Sequence, residues 1–334
     1  MIRLGERGDR EEARGLLRSG VVLIGGSTAS GKSALALALA EAADGVIINA
    51  DSVQLYRDLP ILTARPGPAD LARAEHRLYG ILAAHEPASV ATWLARVEAE
   101  LQRAAAADRL AIVTGGTGLY FKALLEGLAV MPDIPESLRL ELRARADATP
   151  ALHRELAALD PGLAARLQPT DRQRILRGLE VVLATGRPLS VWQADPPRRP
   201  HLPGPVAGLA LLPPAELVDR RIEARLEAML EAGLLDELRA FRGGPGRRPT
   251  PLAKADGVAE LGAYLDGTLD LLAAKRATVL KVRRYAKRQR TFFKGQLGAP
   301  LTPLAAIADA GKAAPLARHL LARLARMPQD HRAG

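Results

Sequence analysis

The 334-residue sequence contains no cysteine, which excludes disulfide bonds and metal sites built on thiolates. It also lacks the uninterrupted apolar run of ~18 residues that a membrane-spanning helix needs. Residues 1–18 carry too many charges for a secretory signal. We therefore expect a cytoplasmic protein with no membrane partner, in which residues 1–18 form a flexible N-terminal extension.

Acidic residues are fewer than basic residues in this chain. The chain has 47 lysines and arginines against 37 acidic residues, which gives a net charge of +10. Such an excess favours a polyanionic partner and speeds encounter with it. A GC-rich genome that encodes arginine throughout the chain would give the same total, so the position of the cations has to separate the two explanations.

A phosphate-binding loop stands near the N-terminus. Residues 25–33 read GGSTASGKS, after the apolar run 21–24 and before an Ala/Leu-rich helical pattern at 34–41. This strand–loop–helix context is what the pattern G-x-x-x-x-G-K-[ST] requires. Backbone amides and the helix N-terminus attract an anion, Lys32 adds a full positive charge, and Ser33 is placed to ligate magnesium. The predicted phosphate or diphosphate ligands are Gly26, Ser27, Thr28, Ala29, Ser30, Gly31, Lys32 and Ser33; a glycine turn that binds nothing is the alternative.

Further strand-length apolar runs occur at 45–50, 110–114 and 207–212, with a helical pattern at 91–107. This alternation predicts an α/β fold, a P-loop three-layer core with a mostly parallel sheet. Residues 135–188 have helical patterns only, so we predict a helical insertion domain. The predicted division is an extension at 1–18, the first part of the core at 19–134, the helical insertion at 135–200, the second part of the core with a basic helix at 201–300, and a C-terminal tail or helix at 301–334.

The strands lack the acid that nucleotide-hydrolysing P-loop enzymes place at the end of a later strand. After Val113 the chain continues TGGTG, and after Leu212 it continues Pro-Pro. The one carboxylate directly at a predicted strand end is Asp51. Neighbouring strand ends line one crevice, so Asp51 should face the phosphate loop, where it suits a base acting on an acceptor substrate. A solvated or helix-capping aspartate is the alternative.

A series of segments, in order between residues 21 and 297, resembles the tRNA dimethylallyltransferase (tRNA isopentenyltransferase) family. They are GGSTASGKS, NADSVQLYRDLPILTARP, EHRLYGI, GGTGLYFKALLEGL, RQRILRGLEVVLATGRPLS, RRIEARLEAML and RRYAKRQRTFF. Several blocks in register are more specific than the phosphate loop alone. Three places depart from the family pattern: the family usually has proline at Ser27, DIGTAK at residues 60–65 and isoleucine at Asp256.

The resemblance implies that a dimethylallyl group passes from dimethylallyl diphosphate to N6 of the adenosine 3′-adjacent to the anticodon in tRNA. The phosphate loop would then hold the diphosphate leaving group, with Mg²⁺ as cofactor. Asp51 would accept the proton of the amine, with Lys32 and Thr117 as the other catalytic residues. Thr117 resembles a threonine that meets the adenosine, with a helix-capping turn threonine as the alternative. Arg221 matches an arginine near the diphosphate, with a solvated surface residue as the alternative.

The resemblance also implies contacts to the anticodon stem-loop, whose adenine must leave its stack to react. We predict a capping box of Thr170 and Gln173 that opens a helix ending near Gly186. The implied tRNA-binding residues are Asp51, Ser52, Val53, Gln54, Thr117, Arg139, Gln173, Arg174, Ile175, Leu176 and Arg177. For the basic residues in this set, the alternative is a charged helix face that is merely solvated. We also expect the protein to be a monomer.

A second basic helix is predicted at 272–294. Its core-facing stripe would contain Leu272, Val279, Val282, Ala286 and Phe293. A second stripe, of cations that would face tRNA phosphates, would contain Arg276, Arg283, Lys287, Arg290 and Lys294. Tyr285 and Phe292 could stack on bases. Two other functional classes stay open here: a small-molecule kinase that uses ATP would not need the basic helices, and a non-catalytic RNA-binding protein would not need the phosphate loop.

Overall fold

The computed structural model describes residues 20–131, 133–145, 149–296, 301–304, 313, 315–317 and 320–321. The chain divides into two compact units. One, the α/β unit, contains the described residues up to Leu124 and from Pro200 onward; the other, the helical unit, is Leu125–Arg199. The predicted extension at 1–18 and most of the predicted tail at 301–334 lie outside the described residues.

The elements alternate at first and are then helical. In chain order they are β1 (Val21–Gly26), α1 (Lys32–Ala43), β2 (Val46–Asn49), α2 (Pro68–Arg73), β3 (Glu75–Arg77), α3 (Val90–Ala106), β4 (Ala111–Gly115), α4 (Gly118–Glu126), α5 (Glu136–Ala144), α6 (Thr149–Leu159), α7 (Pro161–Ala164), α8 (Arg172–Thr185), α9 (Leu189–Trp192), β5 (Val206–Leu211), α10 (Ala215–Glu231), α11 (Leu234–Gly243), α12 (Val258–Leu265), α13 (Leu271–Gly295) and β6 (Leu301–Leu304). Among the helices of the described ranges, none is long and apolar enough to cross a membrane.

The strands form one sheet in the order β3-β2-β4-β1-β5-β6. Each of the described pairings is parallel. The central strand β1 is buried over its whole length, which explains its unbroken apolar sequence, since a parallel strand covered on both faces needs no alternation. The prediction of an α/β fold with a mostly parallel sheet is confirmed.

Helices cover both faces of this sheet. On one face Val22 and Ile24 of β1 pack with Leu35 and Leu39 of α1. On the other face the Phe293 ring of α13 lies so close to Gly25 that a Cβ atom there would be 2.3 Å from it. The predicted three-layer core is therefore confirmed, and glycine in β1 is what admits the aromatic ring.

The helical unit has its own core, which includes Leu142, Leu152, Leu156 and Leu179. Asp160, fully buried, joins its short helices. The Asp160 carboxylate accepts hydrogen bonds from the Leu163 N–H at 3.0 Å and from the Ser190 N–H and hydroxyl at 2.8 and 2.5 Å. These donors satisfy a buried charge that would otherwise destabilise the unit.

The predicted capping box at the start of α8 is wrong by one residue. The helix begins at Arg172, and its N-cap is Asp171, whose carboxylate accepts a hydrogen bond from the Arg174 N–H at 3.3 Å. Aspartate is at least as good a cap as threonine, so the later residue takes the position that Thr170 was expected to hold. The other end is as predicted, with Gly186 at a φ of 68°.

The predicted apolar stripe of α13 needs a correction. Leu272 lies in the first turn and is 55% exposed. The buried residues are Ala274, Thr278, Ala286, Gln289 and Phe293, so the helix packs along a seam that contains two polar side chains. A search for apolar periodicity could not include them.

The cationic stripe of α13 is also divided. Arg283 is paired with Asp219 and Glu223 of α10, and Arg290 donates to the Pro213 carbonyl at 2.5 Å. Arg276, Lys287 and Lys294 are exposed. Two of the five cations expected to face tRNA phosphates therefore contact the α/β unit itself.

Candidate active site

The phosphate loop connects β1 to α1. Gly31, the N-cap of α1, has a φ of 96° and no side chain with which to cap the helix, so the first amides of α1 stay available to an anion. The Lys32 ammonium donates to the Ser27 carbonyl at 2.5 Å. Burial lowers the pKa of Lys32 to about 8, with Asp51 opposing and Arg225 adding to the shift. The loop presents a desolvated cation beside free amides.

One cavity of about 750 Å³ lies beside this loop. Ten of the predicted site residues line it: Thr28, Ala29, Ser30, Gly31, Lys32, Ser33, Asp51, Ser52, Val53 and Gln54. The phosphate loop and the segment after β2 therefore share one cavity, as the parallel arrangement of β1 and β2 predicts.

Asp51 is fixed by the backbone around it. Its N–H donates to the Asn49 side chain at 2.8 Å, and its carboxylate accepts from the Val53 N–H at 3.0 Å. Burial raises the pKa of Asp51 above its ordinary value, while hydrogen bonds from the backbone of Val53, Gln54 and Gly116 and the charge of Lys32 oppose the rise. The arrangement yields a well-oriented carboxylate with an increased proton affinity.

The side chain and the N–H of Thr117 bond to the segment around Asp51. Its hydroxyl accepts from the Ser52 N–H at 2.9 Å and lies 3.3 Å from the Ser52 hydroxyl. Its N–H donates to the Ala50 carbonyl at 3.1 Å. The threonine thus ties the turn after β4 to the turn after β2, although it does not itself line the cavity.

Two arginines of α10 contact the phosphate loop. Arg221 donates to the Ala29 carbonyl at 3.3 Å, and Arg225 donates to the Thr28 hydroxyl at 3.4 Å. Arg225 also lines the cavity, and burial together with the neighbouring Arg221 lowers its pKa. Arg225 was missed in the sequence, although its spacing of four from Arg221 places both on one helix face.

A family model described as IPP transferase matches residues 54–296, and one described as isopentenyl transferase matches residues 19–85. A protein named tRNA dimethylallyltransferase from Methylobacterium sp. (strain 4-46) is 51% identical over 300 residues, which cover 87% of this chain and 96% of that protein. Its namesake from Methylobacterium nodulans is 50% identical over 284 residues, with 83% and 92% covered. The chain belongs to the tRNA dimethylallyltransferase family.

Solved structures agree. The full-length tRNA isopentenylpyrophosphate transferase of Bacillus halodurans is 29% identical and superposes with a TM-score of 0.64, covering 92% of this chain and 97% of that one. A eukaryotic dimethylallyltransferase that acts on tRNA has a TM-score of 0.76 at 21% identity, with 94% and 81% covered, and supports the fold. Family membership favours a prenyl-transferring enzyme over the ATP-dependent kinase and over a non-catalytic RNA-binding protein.

tRNA is the substrate of this family, and the helical unit carries the remaining predicted contacts. Gln173 and Arg174 are exposed near the start of α8, and Arg177 and Arg139 are partly exposed. Ile175 is different. It is fully buried in the core of the helical unit, together with its neighbour Leu176, so neither apolar side chain is available to RNA and that part of the prediction is wrong. The helical period explains this burial, because both positions lie on the face of α8 that packs into the core.

Two of the three departures from the family pattern line the cavity. Leu62, Thr63 and Ala64 belong to the segment 60–65, which Glu237 of α11 holds by accepting from the Ile61 and Leu62 N–H groups at 2.7 and 3.0 Å. Asp256, also on the wall, lies 3.9 Å from the Lys281 ammonium. Leu62 and Asp256, where this chain departs from the usual family pattern, are therefore part of the cavity wall.

The third departure, Ser27, leaves the phosphate loop intact. Ser27 is buried, and its contact with Lys32 is made by the backbone carbonyl. A proline has the same carbonyl, so the usual family residue would offer Lys32 the same partner.

Proposed function

We propose that this enzyme transfers the dimethylallyl group of dimethylallyl diphosphate to N6 of the adenosine 3′-adjacent to the anticodon in tRNA and releases diphosphate. One observation carries the proposal: a phosphate-binding loop and a fixed carboxylate with raised pKa line the same cavity. Prenyl transfer to an amine requires a site that holds the leaving group and a group that accepts the proton of the amine.

The phosphate end would stabilise the charge that develops on the diphosphate. Lys32 and Arg225 line it, and Arg221 contacts the loop from outside the cavity wall. As the carbon–oxygen bond breaks, the electron pair leaves with the diphosphate, and cations desolvated in advance stabilise it more than solvated ones could.

The prenyl group would lie against an apolar wall. Ile222, Leu226 and Met229 of α10 and Val279 and Val282 of α13 line the cavity beside the phosphate loop. Apolar side chains accommodate a hydrocarbon substituent and exclude water. Exclusion of water matters because water competes with the adenine amine for the reactive carbon.

At the acceptor end, Asp51 would take the proton. The N6 amine of adenine is a poor nucleophile because its lone pair is delocalised into the ring. As the new carbon–nitrogen bond forms, the amine loses one proton to the Asp51 carboxylate. Burial raises the pKa of Asp51, which makes the carboxylate a better acceptor at neutral pH.

Magnesium fits the residues present. Within the described ranges, no group of three histidines or acids is placed to hold a metal ion alone, but Ser33 lines the cavity at the start of α1. Mg²⁺ commonly binds through few protein oxygens, together with waters and phosphate oxygens. Ser33 would thus hold the ion jointly with the diphosphate, where it neutralises charge on the leaving group.

The exposed Arg174, Gln173 and Arg177, with Arg139, would contact the anticodon stem-loop. Their positions near the start of α8 and on α5 suit backbone phosphates, whose recognition depends on charge more than on base identity. We also propose that the enzyme acts as a monomer in the cytoplasm, where its tRNA substrate is found.

The test is a direct product measurement. Purified protein is incubated with magnesium, dimethylallyl diphosphate and unmodified tRNA; the RNA is then digested and the anticodon-loop adenosine is weighed by mass spectrometry. We expect a mass increase of one dimethylallyl group, at one position, that disappears in Asp51→Asn. A second reaction contains ATP in place of the prenyl donor. Release of phosphate from ATP with unmodified tRNA would contradict the proposal and revive the kinase interpretation.

A further inference from the structure

Gln289 is a buried polar side chain that joins two loops of the active site. It lies on α13 and is only 5% exposed. Its side-chain oxygen accepts a hydrogen bond from the Thr28 N–H at 2.8 Å, and its side-chain nitrogen donates to the Gly116 carbonyl at 2.9 Å. Thr28 belongs to the phosphate loop, and Gly116 belongs to the turn between β4 and Thr117. A single amide group therefore connects the phosphate end of the site to the acceptor end.

The fit around this amide is close. A Cβ atom on Gly116 would lie 2.2 Å from the Gln289 nitrogen and 3.2 Å from an Asp51 carboxylate oxygen. The same backbone carbon thus separates the Gln289 amide from the proposed proton acceptor. Only glycine at this position leaves room for both side chains.

Tyr285, one helical turn earlier on α13, extends the connection. It lines the cavity. Burial and the nearby Asp51 raise the pKa of its hydroxyl, while hydrogen bonding to Thr117 and Gln289 opposes the rise. Thr117 in turn bonds to Ser52, next to Asp51. Side chains of α13 therefore contact the phosphate loop and the turn after β4, and Thr117 links that turn to the turn after β2.

We propose that Gln289 is a positioning residue, which sets the distance between the diphosphate and the amine that attacks the prenyl carbon. The proposal rests on the proposed function, since it concerns the same cavity. The leaving oxygen is held by the phosphate loop and the nucleophile by the Asp51 segment, so a shift of one loop relative to the other changes the alignment of the bond that breaks and the bond that forms.

The first test is Gln289→Met, which keeps the length of the side chain and removes both hydrogen bonds. In single-turnover reactions with saturating tRNA and dimethylallyl diphosphate, normalised to the folded fraction from a thermal melt, we expect a rate loss on the order of 100-fold. The KM values of both substrates should change less than about 3-fold, because the groups that bind them remain. Gln102→Met, on the exposed side of α3, is the matched control and should match the unmodified enzyme.

The second test is Gln289→Glu. A neutral carboxyl group can still accept from the Thr28 N–H and donate to the Gly116 carbonyl, whereas an ionised one has no proton to donate. Burial raises the pKa of a carboxyl, so activity relative to the unmodified enzyme at the same pH should rise between about pH 8 and pH 6. A side chain that only packs would give a constant ratio.

The outcomes separate cleanly. A rate within about 3-fold of the unmodified enzyme in Gln289→Met, or a loss found only in KM, would overturn the positioning role. If Gln289→Met does not fold, the glutamate variant decides, and a ratio that does not change with pH overturns the proposal. If the unmodified enzyme fails to prenylate tRNA, the proposed function falls instead, and that result is visible before any variant is made.

Discussion

Basic residues are used differently in the two units of this molecule. In the α/β unit, Lys32 and Arg225 line a cavity, contact the phosphate loop and have lowered pKa values. In the helical unit, Arg174 has a side chain that is 73% exposed and an ion pair with Asp171, three residues away. Arg177 and Arg139 have the same kind of local partner, in Glu180 and Glu136.

The difference shows how one residue type serves two kinds of anion. Cations at the cavity are desolvated when the protein folds, so each can interact strongly with a small anion that enters. Exposed arginines stay solvated and lose only a weak surface pair when they move to a phosphate of RNA. We therefore expect large, localised effects from changes at the cavity and small, salt-dependent effects from changes in the helical unit.

The largest effect should come from Asp51→Asn, which keeps the shape and removes the base. General base catalysis contributes ~10²–10⁴-fold, so we expect kcat to fall on the order of 10³-fold. The folded pKa of Asp51 is raised, so its charge disfavours folding as pH rises through that pKa, and the variant should melt at a higher temperature at pH 7. Kinetics and a thermal melt measure both.

The matched control for Asp51→Asn is Asp236→Asn, whose carboxylate is exposed in an ion pair with Arg239. It should leave kcat unchanged and shift the free energy of unfolding by no more than about 0.5 kcal/mol. An Asp51→Asn enzyme with normal kcat would show that the carboxylate is not the proton acceptor.

Next in size is Lys32→Met, for which we expect kcat/KM for dimethylallyl diphosphate to fall on the order of 100-fold. The pKa of Lys32 is about 8, so the unmodified enzyme should bind the donor more weakly as pH rises above 8 and the ammonium loses its proton. The Lys32→Met variant has no ionisable group at this position. A KM profile from pH 7 to 9.5 that has the same slope in both proteins would rule out Lys32 as the titrating group.

The same residue predicts a stability effect. Below pH 8 the folded protein pays the full cost of desolvating the charged Lys32, and this cost is lost as pH rises toward the ordinary value of 10.5 because the unfolded state then binds more protons. Lys32→Met should therefore be more stable than the unmodified enzyme at pH 7, by a margin that shrinks between pH 8 and 10.5. Chemical denaturation at several pH values measures that margin.

A smaller effect is expected in the helical unit. Arg174→Ala should weaken tRNA binding ~5-fold at low salt and reduce the slope of log affinity against log salt by about one unit, as for the loss of one phosphate contact. Arg154→Ala, which changes an exposed arginine of α6, is the control. Equal salt slopes for both variants would show that Arg174 is merely solvated.

The smallest effect distinguishes the two candidate caps of α8. Asp171→Ala should destabilise the helical unit by about 1 kcal/mol, because Asp171 accepts from the Arg174 N–H. Thr170→Ala, at the position that the capping-box pattern favoured, should be close to neutral. Urea denaturation compares the two, and a larger loss for threonine would reinstate the predicted box.

The phosphate loop and the sheet were largely predictable. The apolar runs at 21–24, 45–50, 110–114 and 207–212 correspond to β1, β2, β4 and β5, because a strand buried on both faces leaves an unbroken apolar run in the sequence. The placement of Asp51 beside the loop followed from parallel pairing. Its proposed role as a base, like the roles of Lys32, Thr117, Ser33 and Arg221, stays a prediction that awaits the measurements above.

Where the predictions were wrong, contacts distant in sequence decided the outcome. Leu272 has the right period for the core of α13, but the helix packs along the seam that contains Gln289. Ile175 and Leu176 stand between basic residues that suit RNA, yet the helical unit needs their side chains for its core.

The sequence by itself determined the family, four of the six strands of the described sheet and the P-loop pattern before α1, since these depend on local patterns and backbone geometry. Only the tertiary structure decided which cations face the cavity and which polar side chain joins its two ends. Thr28 and Gly116 are far from Gln289 along the chain, and hydrogen bonds across such separations depend on how α13 packs against the sheet, which no local pattern specifies.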